Sequence, residues 1–140
     1  MAGFDLFIEN PPDGALSTSN YAFGLGVNGK STNTSRVTAA RPLPDLKDNW
    51  VFLAVAYDGT KSDTNVRFYV GTQDAAPENV GEGYTELDGG AMPDKMGELQ
   101  IGHTSATQED RSPPALIDDV RIYDDLLTPG EIKEIWAQNR

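Results

Sequence analysis

Residues 49–60, NWVFLAVAYDGT, restrict the fold more than any other stretch. The run is rich in β-branched and aromatic residues, ends at Asp58-Gly59, and is apolar at odd and even positions alike. A strand with two apolar faces has to be covered on both, so it is expected at the centre of a layered structure. After a short polar loop, residues 65–72, NVRFYVGT, alternate strictly. Val66, Phe68 and Val70 are expected inward, with Arg67 and Tyr69 outward. Two such runs around an Asp-Gly signal predict an antiparallel hairpin.

The rest of the chain repeats this grammar. GFDLFIEN at 3–10 puts Phe4, Leu6 and Ile8 on one face and Asp5 and Glu9 on the other. In NYAFGLGVNGK at 20–30, Tyr21, Phe23, Leu25 and Val27 share a face, and Asn28-Gly29 is a hairpin-type turn. TSRVTAARPL at 34–43 reads as a weaker strand ending at Pro42. ELQIGHT at 98–104 returns to strand, with Leu99 and Ile101 inward, and ALIDDVRIY at 115–123 is expected as the last strand. In DDLLTPGEIKEIW at 124–136, Thr128 can cap, Pro129 suits the first helical position and Glu131 completes a capping box. Ile132, Ile135 and Trp136 then share one helix face.

A chain of 140 residues allows one domain with one core. Its 11 basic against 22 acidic residues leave a net charge of −11, which repels phosphate backbones and makes nucleic acid a poor partner. The single histidine, His103, and the absence of cysteine exclude disulfides, thiol catalysis and sites needing two imidazoles. No apolar run reaches the ~20 residues of a membrane span, so no membrane association is expected. MAGFDLF has no basic region leading into an apolar one, so no signal peptide is read there. Residues 73–97, rich in Gly, Pro and acids, are expected as a long loop, functional or mobile.

Taken in order, WVFLAVAYDGT, VRFYVGT, LQIGHT and LIDDVRIYDDLLTPGEIKEIW resemble the laminin-G-like, concanavalin A-like jelly-roll family over roughly residues 45–137. The last block is the most specific. The resemblance implies an all-β fold: an antiparallel β-sandwich of jelly-roll type with a short C-terminal helix, as one domain over residues 1–140. Such domains carry further strands before the one matching FDLFIEN, and little room exists for them here. Either the domain is a minimal or trimmed version, or a neighbouring module or second chain completes the sandwich, since an uncovered edge invites aggregation.

The adjacent acids Asp118 and Asp119 lie inside that last block. If Val120 and Ile122 face the core, Asp118 does too, and a buried carboxylate must be paired or coordinated. The resemblance implies that an acid here helps hold a structural calcium, which makes Asp118 the candidate metal ligand. The plainer alternative is hydrogen bonding from loop amides. Trp50 and Trp136 are expected to pack in the interior. Tyr21, Tyr84, Asp110 and Arg111 are the candidate ligand contacts, because a sugar has an apolar face for an aromatic ring and hydroxyl edges for polar groups.

Catalytic sets fail on inspection. Gln100, Ile101 and His103 approach the Gln–Ile–His strand motif of alginate lyases on a related jelly roll, but Gly102 turns His103 to the opposite face. Related glucanases need two Glu around an Asp on one strand, and IDDVRIYDD has no glutamate. The expectation is a non-catalytic carbohydrate-binding module of a larger exported bacterial protein, extracellular or on the cell surface. It would bind a polysaccharide or glycan through rim loops. A protein–protein adhesion module is the alternative, and a polysaccharide-cleaving enzyme ranks third.

Overall fold

Period-two alternation draws the first part of the chain into a sheet. The computed structural model describes residues 3–9, 21–28, 35–39, 41–61, 63–81, 101 and 115–138. Strands β1 (Gly3–Glu9), β2 (Ala22–Asn28) and β3 (Ser35–Thr38) form one antiparallel sheet in the order β1-β2-β3. Phe23, Leu25 and Val27 are buried on its inner face, as the alternation requires. On the outer face Phe7 pairs with Gly24, and a Cβ at Gly24 would overlap the Phe7 ring. The missing side chain is therefore what lets that ring lie across the sheet. Phe4, Leu6 and Ile8 sit opposite Val27, Leu25 and Phe23. Phe4 packs on the core, while Leu6 and Ile8 stay 48% and 44% exposed on an edge strand.

Pairing continues beyond β3. The Ala39 amide donates to the Phe23 carbonyl at 2.8 Å, and the Leu43 amide to that of Tyr21 at 2.7 Å. This brings Leu43 into the core.

The expected hairpin is β4 (Val51–Tyr57) and β5 (Val66–Thr72), paired from Val51↔Thr72 to Tyr57↔Val66. In its turn the Asp58 carboxylate accepts from the Thr60 hydroxyl at 2.5 Å and the Thr60 amide at 3.1 Å. These bonds, and Lys61 at 3.3 Å, hold Asp58 below the usual carboxylate range. Buried Asn65 donates its side-chain amide to the Lys61 carbonyl and accepts the Asp58 amide. A two-residue strand, β6 (Glu78–Asn79), pairs with β5 inside the segment expected to be loop.

The Phe23 and Phe68 rings meet edge-to-face, 5.4 Å apart at 70°. The two sheets thus close one core from Phe23, Leu25, Val27, Val37, Ala39, Leu43, Val66 and Phe68, which makes a β-sandwich. Among the described residues β4 has β5 as its one strand neighbour, and all of it is half-buried instead of covered on both faces.

Helix α1 (Pro129–Gln138) opens with the expected capping box. The Thr128 amide donates to the Glu131 carboxylate at 2.7 Å, and the Glu131 amide to the Thr128 hydroxyl at 3.3 Å. Ile132 is buried and Trp136 Nε1 donates to the Thr72 carbonyl at 2.9 Å, so α1 lies against the outer face of the β4–β5–β6 sheet. Tyr69, outward on β5 as expected, is only 3% exposed because the helix covers that face.

The last expected strand is not one. Residues 115–123 have no ladder partner among the described residues, and Leu116, Ile117, Val120 and Ile122 are all exposed. The cause is local. Asp119 adopts φ 52°, a left-handed conformation that breaks the alternation and that Asp tolerates better than most residues. Its amide donates to Asp118 Oδ1 at 2.8 Å, and Arg121 Nε donates to Asp119 Oδ1 at 2.8 Å. Ile101, from ELQIGHT, is likewise 53% exposed where an inward position was expected.

Candidate functional site

Where α1 meets the second sheet, a cleft of about 270 Å³ opens between β5, β6 and the first turn of the helix. β5 contributes Arg67 and Tyr69, β6 contributes Glu78 and Asn79, and α1 contributes Pro129 and Lys133. Pro77 completes it. The placement follows from the elements. Arg67 and Tyr69 are the outward positions of an alternating strand, and Trp136 holds the helix against the far end of that strand. Pro129 supplies exposed apolar surface, with Tyr69 and Pro77 buried; Arg67, Lys133, Glu78 and Asn79 supply polar groups around it. Asn79 Oδ1 accepts the Gly81 amide at 2.9 Å, which leaves its Nδ2 as a donor. No ion pair engages Arg67 or Lys133 among the described residues. Chemically the cleft can donate hydrogen bonds from two cations and an amide beside the exposed Pro129.

The residues singled out from the sequence lie elsewhere. Tyr21 is 38% exposed at the start of β2, outside the cleft, with its carbonyl bonded to Leu43. Tyr84, Asp110 and Arg111 lie outside the described residues. Asp118 is exposed and does not face the core, because its neighbours Val120 and Ile122 are exposed as well. Its carboxylate accepts the Asp119 amide, a local version of the plainer expectation. No group of three or more His, Asp or Glu poised for a metal occurs among the described residues. Trp50 is 51% exposed, not interior, because it precedes the first paired residue of β4. The cleft itself was missed. Arg67 is legibly outward in NVRFYVGT, but nothing local tells that Lys133 arrives beside it.

With this geometry in place, the comparisons decide the family. The family model Laminin_G_3, described as the concanavalin A-like lectin/glucanases superfamily, matches residues 8–133. The chain belongs to this family. The match runs from the end of β1 into the first half of α1, and so begins well before the blocks at 45–137. The family's jelly-roll β-sandwich is the architecture expected from those blocks. No curated protein and no solved structure matches the chain significantly. The superfamily holds lectins and glucanases alike, so membership leaves binding against cleavage to the residues. No helix among the described residues is long and apolar enough to cross a membrane.

Proposed function

We propose that this domain is a non-catalytic carbohydrate-binding module of a larger exported protein. The observation that carries the reading is membership of a lectin and glucanase family over residues 8–133. The residues support it. The stretch IDDVRIYDD lacks the two glutamates of the glucanase strand, and the cleft at α1 sets hydrogen-bonding side chains beside the exposed Pro129. Half-exposed Tyr21 and Trp50 add aromatic faces on which a sugar ring can stack.

A second reading, a protein-contact module, is favoured by a separate observation. Leu116, Ile117, Val120, Ile122, Tyr123 and Leu126 are all exposed within one short stretch, and clustered apolar surface marks contact sites.

Affinity electrophoresis of the domain through gels containing neutral and acidic polysaccharides, with calcium and with chelator, separates the two. Retardation by at least one polysaccharide, without release of reducing ends, is the expected result. Migration unchanged in every gel would overturn the glycan reading in favour of protein contact. New reducing ends or unsaturated products would make it an enzyme.

A further inference from the structure

We propose that the cleft between β5, β6 and α1 binds an acidic sugar, with Arg67 and Lys133 gripping its carboxylate or sulfate. This rests on the glycan-binding reading and specifies the ligand class. The charge distribution motivates it. In a chain of net charge −11, two of the 11 basic side chains line one cleft, one from the sheet and one from the helix. Neither engages a carboxylate among the described residues, although Glu78 lines the same cleft. Unpaired cations in an acidic protein are free for an external anion, and the arginine fork matches a carboxylate or sulfate in two-point geometry.

The remaining lining fits a sugar and not a bare ion. Pro129 is exposed and offers apolar surface to a ring face, whereas Tyr69 and Pro77 are buried, and Asn79 Nδ2 and Glu78 can donate to and accept from hydroxyls. The volume, about 270 Å³, lies just under the ~300–1,000 Å³ of pockets that enclose a whole ligand. One residue of a longer chain therefore sits in it, with its neighbours running on over the surface. The helix N-terminus adds little, since the Thr128 hydroxyl already accepts the Glu131 amide and the Glu131 carboxylate places a negative charge on the same turn.

Long-range repulsion from the acidic surface opposes a polyanion, but at 0.15 M salt it is screened within about 8 Å. Contact with Arg67 and Lys133 survives that screening. The test is therefore run at 0.15 M salt by affinity electrophoresis and titration. Polygalacturonate is compared with its fully methyl-esterified form, and dextran sulfate with dextran. Each pair keeps the backbone and removes the charge. Retardation by an acidic member and not by its neutral counterpart is expected, and the responding pair tells carboxylate from sulfate.

Lys133→Gln, on an exposed helix face, should weaken binding roughly two- to five-fold, the scale of one surface charge contact. Glu78→Gln should strengthen it by a similar factor, because a like charge is removed from the anion's side. A purely structural role for these side chains would not move affinity in opposite directions. Equal retardation by acidic and neutral members, or wild-type affinity in both variants, overturns the acidic-sugar proposal and leaves the glycan reading standing. No retardation by any polysaccharide sinks both.

Discussion

At the scale of single residues, Thr128 and Glu131 show how few atoms start the helix. Each side chain serves the other's backbone amide, so two donors that helix geometry strands are satisfied at once. Thr128→Ala should lower unfolding stability by about 1 kcal/mol in urea melts, the usual worth of an N-cap. The backbone bond from Thr128, then its hydroxyl, lower the pKa of Glu131 from its ordinary 4.5. A folded-state pKa below the unfolded one means stability that is whole above about pH 4.5 and lost as pH falls through the lowered value. Glu131→Gln should therefore flatten the acid limb of a melting-temperature profile below that pH, and an unchanged limb would dismiss the linkage. Asp118 carries a different expectation. We propose it as a calcium ligand, so calcium should raise the melting temperature of the wild type, and Asp118→Ala should abolish the rise. A rise of equal size in the variant would remove Asp118 from that role.

At the scale of elements, the fit of β1 on β2 depends on an absence. The Phe7 ring occupies the space where a side chain at Gly24 would stand. Gly24→Ala should force the ring aside and cost about 1–3 kcal/mol, the range for added volume at a packed site. The penalty should largely vanish in a Phe7→Ala background, and full additivity in that double-mutant cycle would mean the two do not compete. What was legible in the sequence divides along the same physical line. β2, the β4–β5 hairpin and the capping box depend on side-chain periods and turn residues within a few positions, and each formed where those signals lay. The Phe7–Gly24 fit, β6 against β5 and the cleft joining Arg67 to Lys133 depend on which distant segment arrives alongside, and no local signal carries that. Residues 115–123 show the converse. Their alternation is strand-like, but no strand pairs with them among the described residues, and the left-handed Asp119, bonded to Arg121 and through its amide to Asp118, interrupts the alternation.

At the scale of the whole molecule, charge and exposed apolar surface pull in opposite directions. A net charge of −11 keeps copies apart at neutral pH, while Leu116, Ile117, Val120 and Ile122 offer side chains worth roughly 1.5–3 kcal/mol each if fully buried. The repulsion disappears near the isoelectric point of 4.3, whereas the apolar attraction does not titrate. Lowering the pH from 7 toward 5 should therefore increase self-association before the lowered pKa values of Asp58 and Glu131 begin to erode the fold. Light scattering should rise over that interval at constant circular dichroism, and added salt should promote the rise by screening what repulsion remains. Replacing Leu116 and Ile122 with Asp should suppress it, because the change removes apolar area and adds repulsion at one place. If the double variant scatters as strongly as the wild type, the 115–126 stretch is not the adhesive surface, and the observation favouring a protein-contact role loses its force.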